Sequence, residues 1–495
     1  MNPLKKLAGQ TAVYGLPTII GRLLNYLLVP LYTRAFITSE YGVVTEFYAY
    51  VAFLFVILTY GMETAFFRFS SSEQNKSHVF STALISLIVS SVLFLILAFA
   101  FAPSISFRMG YSEHTEYIRW FALVLATDAI STIPYANLRL KNKPLRFAFI
   151  KIVNIAANIG FNLFFILLCP YLMTHFPNSS ISSAIETIYN PAIGVGYIFI
   201  SNLIASVLTF AMLLPEIIRI NFKIDFNLLK RMLKYSWPLL IFGMAGIVNE
   251  TFDRVILKYL LPSHVDAMAQ LGIYGACYKV SILMTLFIQT YRYAAEPFFF
   301  DQAGQKDAKK TYADMMHYFI IVCLLIFLGI MLYIDIVIRF IGKDFREGAG
   351  VIPILLAANL CLGIFYNLSV WFKLTDHTKT GALISLAGAG ITIILNFILI
   401  PSMGYMGAAW ATLACYASMM ALSYVIGQKY YPVDYHLSRA AIYSLIATLI
   451  FVASVMLSNQ NPWLKYAINT LLMAGFIMYI FRVEKQRFLS VIRKA

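Results

Sequence analysis

The sequence predicts an all-α, polytopic membrane protein of about 14 transmembrane helices, and three observations lead there. First, 60% of the 495 residues are hydrophobic and only 12% are charged, where soluble chains carry about 25%. Second, apolar runs of the roughly 20 residues that a bilayer requires recur from one end to the other. A membrane β-barrel would instead show alternating segments of about ten residues. Third, Lys and Arg gather in alternate loops, which is the signature of a topology rather than of a nucleic-acid site. The net charge of +15 has no soluble domain to sit on, so no nucleic-acid partner is expected. The five cysteines stand singly in apolar runs, without metal or redox spacing.

In chain order the spans fall near 8–36, 41–69, 78–102, 115–138, 147–172, 190–214, 235–261, 268–300, 311–341, 348–374, 380–401, 405–429, 438–458 and 462–482. The first follows Lys5 and Lys6, is too long for a signal peptide and lacks a small-residue cleavage site, so it reads as an anchor. With the N-terminus inside, about 26 of the 38 Lys and Arg are cytoplasmic and about 8 external. The dense clusters are Arg139 to Lys151, Arg219 to Lys234, Lys306 to Lys310 and the tail from Arg482. An even helix count returns the C-terminus to the cytoplasm. Both termini are therefore expected in the cytoplasm.

Two halves of the chain look like repeats. Tyr14 to Pro17 reads YGLP and Tyr235 to Pro238 reads YSWP. In the following helices, Tyr41-Gly42-Val43 with Tyr48 matches Leu271-Gly272-Ile273 with Tyr278. The expected organisation is a six-helix lobe over 1–214, a basic amphipathic linker over 215–234, a second six-helix lobe over 235–429, and two further helices with a basic tail over 430–495. Pro17 and Pro238 take equivalent places and are candidate hinges, because a proline in a spanning helix frees a carbonyl and permits a kink. Ordinary tolerance of proline in such helices is the other reading.

The seventh span, Trp237 to Leu261, carries Asn249, Glu250, Asp253 and Arg254 well inside it. A charge at the bilayer centre costs about 2.5–3.5 kcal/mol on insertion scales and persists where it is paired or lines a wet cavity. Asn249 and Asp253 are four apart, as are Glu250 and Arg254, so the group shares roughly one side of the helix. Either Glu250 and Arg254 neutralise each other, or the span borders a polar transport pathway.

YGLPTIIGRLLNYLLVPLYTRAF in the first span, EYG opening the second and YGMETAFFRF closing it resemble the polysaccharide-transporter branch of the MOP (MATE-like) exporter superfamily. So do DRVILKYLL, LGIYGACYKV and GYMGAAWATL in spans seven, eight and twelve. That branch includes the Wzx-like O-antigen flippases and is similar to the lipid II flippase MurJ. The resemblance covers the whole chain. It implies a non-enzymatic flippase without cofactors in a bacterial inner membrane, carrying an undecaprenyl-pyrophosphate-linked oligosaccharide from the inner to the outer leaflet by alternating access. The implied partners are this lipid-linked oligosaccharide, membrane lipids, and polysaccharide polymerase and assembly proteins around a monomer. It further implies that the last two helices border a hydrophobic groove for the lipid tail.

A pyrophosphate cannot cross hydrocarbon bare and needs cations in a wet cavity. Four cations lie inside spans: Arg22, Arg254, Lys279 and Arg292. These are the expected substrate-binding residues, and the family's use of arginines in its first helix singles out Arg22. Arg292 stands four residues before Glu296 and is alternatively a partner for it. Glu63 and Arg68, Asp128, Asn249, Glu250, Asp253 and Asn396 are candidates for gating or for coupling to a proton, sodium or the membrane potential. Two other classes would leave different traces. A drug or cation antiporter of the same superfamily would favour an acidic cavity. A membrane glycosyltransferase or polymerase would usually show a long loop with clustered carboxylates. No Walker motif is present.

Overall fold

The structure is a computed structural model describing residues 20–492 apart from 22, 74–75, 178, 219–222, 376 and 458–459. Pro17, Arg22 and much of the first expected span lie outside the described residues. Among those described there is no strand, and 12 helices are long and apolar enough to cross a membrane. This follows from the solvent: hydrocarbon offers backbone groups no partners, so each segment must satisfy its own.

A short helix, α1 (Val29–Ala35), leads into α2 (Thr38–Thr59). Tyr60 and Gly61 are both left-handed, at φ 34° and 71°, and the helix resumes as Met62–Ser72. There follow α3 (Lys76–Ala100), α4 (Thr115–Leu140), α5 (Pro144–Leu163), α6 (Gly196–Ile218) and α7 (Phe226–Leu260). Then come α8 (Ala267–Gln302), α9 (Ala308–Met331), α10 (Val351–Leu368), α11 (Thr378–Met403), α12 (Tyr405–Tyr430), α13 (Leu437–Met456) and α14 (Pro462–Ile492). The 35-residue α7 is the seventh expected span, and its internal charges set it apart from the 12 apolar helices. Its start is capped by Asp225, whose carboxylate accepts from the Leu228 amide at 2.9 Å. Pro134, Pro215, Pro238 and Pro401 all sit inside helices.

The chain forms two compact units, residues 1–276 with 385–408 and residues 277–384 with 409–495. In the first, Met62, Phe66, Leu84, Leu87, Ile133 and Met232 make a core from the continuation of α2 with α3, α4 and α7. The helix pair α2–α7 is antiparallel. Arg231 meets Glu73 at 2.9 Å at one end, and Lys258 meets Glu46 at 3.2 Å at the other. A Cβ on Gly42 would overlap the Met268 carbonyl, and one on Gly272 would overlap the Thr38 carbonyl and lie 2.9 Å from the Gly42 nitrogen. The two glycines of the internal sequence match therefore pack against each other, where α2 and α8 cross backbone to backbone.

In the second unit a buried carboxylate, Glu484 of α14, is held by His317 of α9 at 2.9 Å, the Tyr443 hydroxyl at 2.8 Å and Arg439 at 3.4 Å. Asn469 donates to the Leu332 carbonyl at 2.6 Å, and Lys465 meets Asp335 at 2.5 Å. The last two helices are thus tied to α9 by specific polar contacts as well as by apolar packing.

Candidate functional site

Helix periodicity separates the four polar residues of α7. Asn249 and Asp253 are buried, at 5% and 3% exposure, whereas Glu250 is exposed. Asn249 donates to the Ser385 carbonyl at 3.1 Å and accepts from Thr392 at 3.3 Å, both on α11. Asp253 accepts from the Tyr274 hydroxyl of α8. Arg254 lies 3.5 Å from Asp253 and donates to the main-chain carbonyl of Glu250. Asn396 is fully buried one turn beyond Thr392 and donates to its carbonyl at 2.7 Å. Its own side-chain oxygen has no donor among the described residues. Pro238 lies near the start of this helix, twelve residues into α7.

Asp128 of α4 opens onto a cavity of about 370 Å³ inside the first unit. Facing it are Lys151 and Asn154 of α5 and Asn202, Ser206 and Thr209 of α6. Asn154 donates to Thr209 at 2.9 Å and to the Ala205 carbonyl at 3.1 Å. Asn202 donates to the Tyr48 hydroxyl at 3.1 Å. The Lys151 ammonium sits 4.3 Å over the Tyr135 ring. Glu63 also lines this cavity, ion-paired with Arg139 of α4. Arg68 lies instead over the Tyr235 ring at 4.2 Å. Glu63 and Arg68 therefore engage different helices, although five residues separate them in sequence.

In the second unit, Arg292 of α8 is half-exposed, with its guanidinium 4.6 Å over the Tyr366 ring and 3.7 Å from Glu296. Glu296 also meets Lys373 at 2.5 Å. These three line a pocket with Tyr291 and Asn367, which are joined by a 2.7 Å hydrogen bond. Two cations on one carboxylate leave the pocket with one excess positive charge. Lys279, about three and a half turns before Arg292 on the same helix, is half-buried. A second, apolar cavity of about 460 Å³ lies among α9, α10, α12 and α13, lined by Ile320, Leu360, Ile364, Met420 and Ala441.

Several groups in these sites escape a reading of the sequence alone. Glu46 is fully buried. Lys258 lies 3.2 Å from both of its carboxylate oxygens, Tyr111 donates to it, and Lys258 donates as well to the Met109 carbonyl at 2.5 Å. Each member looks like an ordinary charge near a span end, and 212 residues separate the pair. Lys151 and Lys373 likewise sit at the ends of basic or short segments. Three cations of the Arg139–Lys151 cluster (Lys141, Lys143 and Arg146) converge on buried Glu216 at 3.7, 3.6 and 3.0 Å.

Residues 7–303 match the family described as polysaccharide biosynthesis protein. Comparison with curated proteins finds no match. Among solved structures, the lipid II flippase MurJ in an inward closed conformation matches with a TM-score of 0.73 at 14% identity, over 96% of this chain and 99% of that one. An inward-facing multidrug resistance MATE family transporter of the MOP superfamily matches with a TM-score of 0.61 at 13% identity, over 85% and 94%. At such identities the likeness is one of fold. The chain belongs to the polysaccharide biosynthesis protein family and has the multi-pass fold shared by MurJ and the MATE transporters.

Proposed function

We propose that this protein is a flippase that moves an undecaprenyl-pyrophosphate-linked oligosaccharide from the cytoplasmic to the periplasmic leaflet by alternating access. The observation that carries the reading is the arrangement of Arg292 and Lys373 about Glu296. Lys373 holds the carboxylate closely, while half-exposed Arg292 keeps a planar fork available for a phosphate oxygen pair. Arg254 and Lys279 are further cations within spans. A drug or cation antiporter would want the opposite sign of excess charge in such a pocket. The apolar cavity among α9, α10, α12 and α13 suits a lipid chain.

The test is complementation of surface polysaccharide in a flippase-deficient strain, with membrane abundance measured alongside. Arg292→Ala is expected to reduce export about tenfold or more, since a charge-assisted hydrogen bond is worth about 1.5–3 kcal/mol. Arg292→Lys should fall between, because lysine is a point charge. Full export by a well-expressed Arg292→Ala, Lys373→Ala double variant would remove the basis for the reading.

Orientation belongs to the same proposal and rests on the loop charges. In a background without the native cysteines, Lys309→Cys is expected to resist a membrane-impermeant thiol reagent applied to intact cells, and Ser180→Cys to react. Reversed labelling would invert the direction of transport proposed here.

A further inference from the structure

We propose that the cavity of the first unit around Asp128 is a sugar-recognition subsite, which binds the first residues of the oligosaccharide through their hydroxyl groups. This deepens the flippase reading and rests on it. Charge balance is the first argument. The ionisable groups lining the cavity are Glu63, Asp128, Arg139 and Lys151, two of each sign. A pyrophosphate site needs a cationic excess, and a coupling-cation site needs an anionic one. A balanced set, with carboxylate and ammonium both facing the same space, suits a neutral ligand rich in hydroxyls, which donates to the one and accepts from the other.

The remaining chemistry agrees. Asn202 is a planar amide that offers donor and acceptor side by side, the pairing presented by vicinal hydroxyls, while Asn154, whose amide hydrogens go to Thr209 and the Ala205 carbonyl, offers its side-chain oxygen as an acceptor. Both are already fixed by neighbouring helices, Asn154 by Thr209 and the Ala205 carbonyl and Asn202 by Tyr48, so neither must be ordered by the ligand. Tyr135 supplies the independent observation. Its ring is nine-tenths buried, and its hydroxyl makes no hydrogen bond of normal geometry among the described residues, the nearby Thr209 hydroxyl already accepting from Asn154. A buried hydroxyl without a partner costs about 1–3 kcal/mol, and a sugar hydroxyl in the cavity would satisfy it. The volume, about 370 Å³, falls within the ~300–1,000 Å³ of small-ligand pockets.

The experiment uses the full-length protein in nanodiscs and titrates three free sugars: a neutral hexose, an N-acetylhexosamine and a uronic acid. Binding is read by saturation-transfer NMR, and sodium binding is measured in parallel. At least one neutral sugar is expected to bind. Asn154→Ala and Asn202→Ala should each weaken it about tenfold. Tyr135→Phe, which keeps the ring and removes only the hydroxyl, should weaken it about threefold or more without lowering the melting temperature. No sugar binding, sugar binding that is unchanged in Tyr135→Phe and Asn154→Ala, or sodium binding lost in Asp128→Asn in place of sugar binding would each overturn the proposal. Translocation of lipid-linked oligosaccharide in vesicles separates this from the parent reading. Wild-type protein that translocates alongside variants that translocate equally well sinks the subsite alone, whereas wild-type protein that never translocates sinks the flippase.

Discussion

Replacing Lys258 with alanine is expected to destabilise the protein by about 3–5 kcal/mol, the cost of leaving a buried carboxylate without its cation. Glu46 is fully buried, and the ammonium of Lys258 reaches both of its oxygens at 3.2 Å. In Lys258→Ala only the hydroxyls of Tyr111 and Tyr50 remain beside the carboxylate, and neutral donors do not offset a full charge. Removing both charges while keeping shape, as in Glu46→Gln with Lys258→Met, should recover most of the loss, because well-packed neutral groups often equal a buried ion pair. The measurement is the thermal unfolding midpoint in detergent across the double-mutant cycle. A double variant whose loss equals the sum of the two single losses would show that the two residues act independently.

Gly272→Ala should be comparably damaging for a steric reason. The new Cβ would overlap the Thr38 carbonyl oxygen, and Gly42→Ala would overlap the Met268 carbonyl oxygen. Both obstacles are backbone atoms of helices, with no flexible side-chain end to move aside. The cost belongs at or above the top of the ~1–3 kcal/mol range for overpacking. Gly246 and Gly390 are the internal controls, since nothing lies within 4 Å of a Cβ built on either. Alanine there should leave stability within about 1 kcal/mol of wild type. Membrane abundance and melting temperature of the four variants decide the matter. Tolerance of Gly272→Ala equal to that of Gly246→Ala would refute the close crossing of α2 and α8.

The features legible in the sequence are those carried by local pattern. Apolar length alone places the 12 helices long and apolar enough to cross a membrane among the described residues, because a bilayer demands about 20 residues irrespective of tertiary contacts. The Arg292–Glu296 contact follows from a spacing of four on a helix, and the structure has it at 3.7 Å. The Gly42 and Gly272 motifs were visible as a repeat, but their direct contact was not, since repetition says nothing about which copies touch. Charges that pair across distant helices left no local trace: Glu46 with Lys258, Glu63 with Arg139, Lys373 with Glu296. Glu63 and Arg68, both gating candidates near the end of one span, turn to different partners, Arg139 and the Tyr235 ring. The amphipathic split within α7 was readable only in part. Spacing grouped Asn249 with Asp253, but burial of that pair against α8 and α11, with Glu250 left exposed, required the packed helices.

Purified protein reconstituted into vesicles of known lipid composition provides the most direct test of lipid-linked oligosaccharide movement. The substrate is placed in one leaflet, and its appearance in the other is read by accessibility to a membrane-impermeant sugar-modifying enzyme. The account predicts protein-dependent appearance of the pyrophosphate-linked sugar, with little or none in vesicles carrying the Arg292→Ala, Lys373→Ala variant. Protein-independent appearance, or equal movement by wild type and double variant, would contradict it.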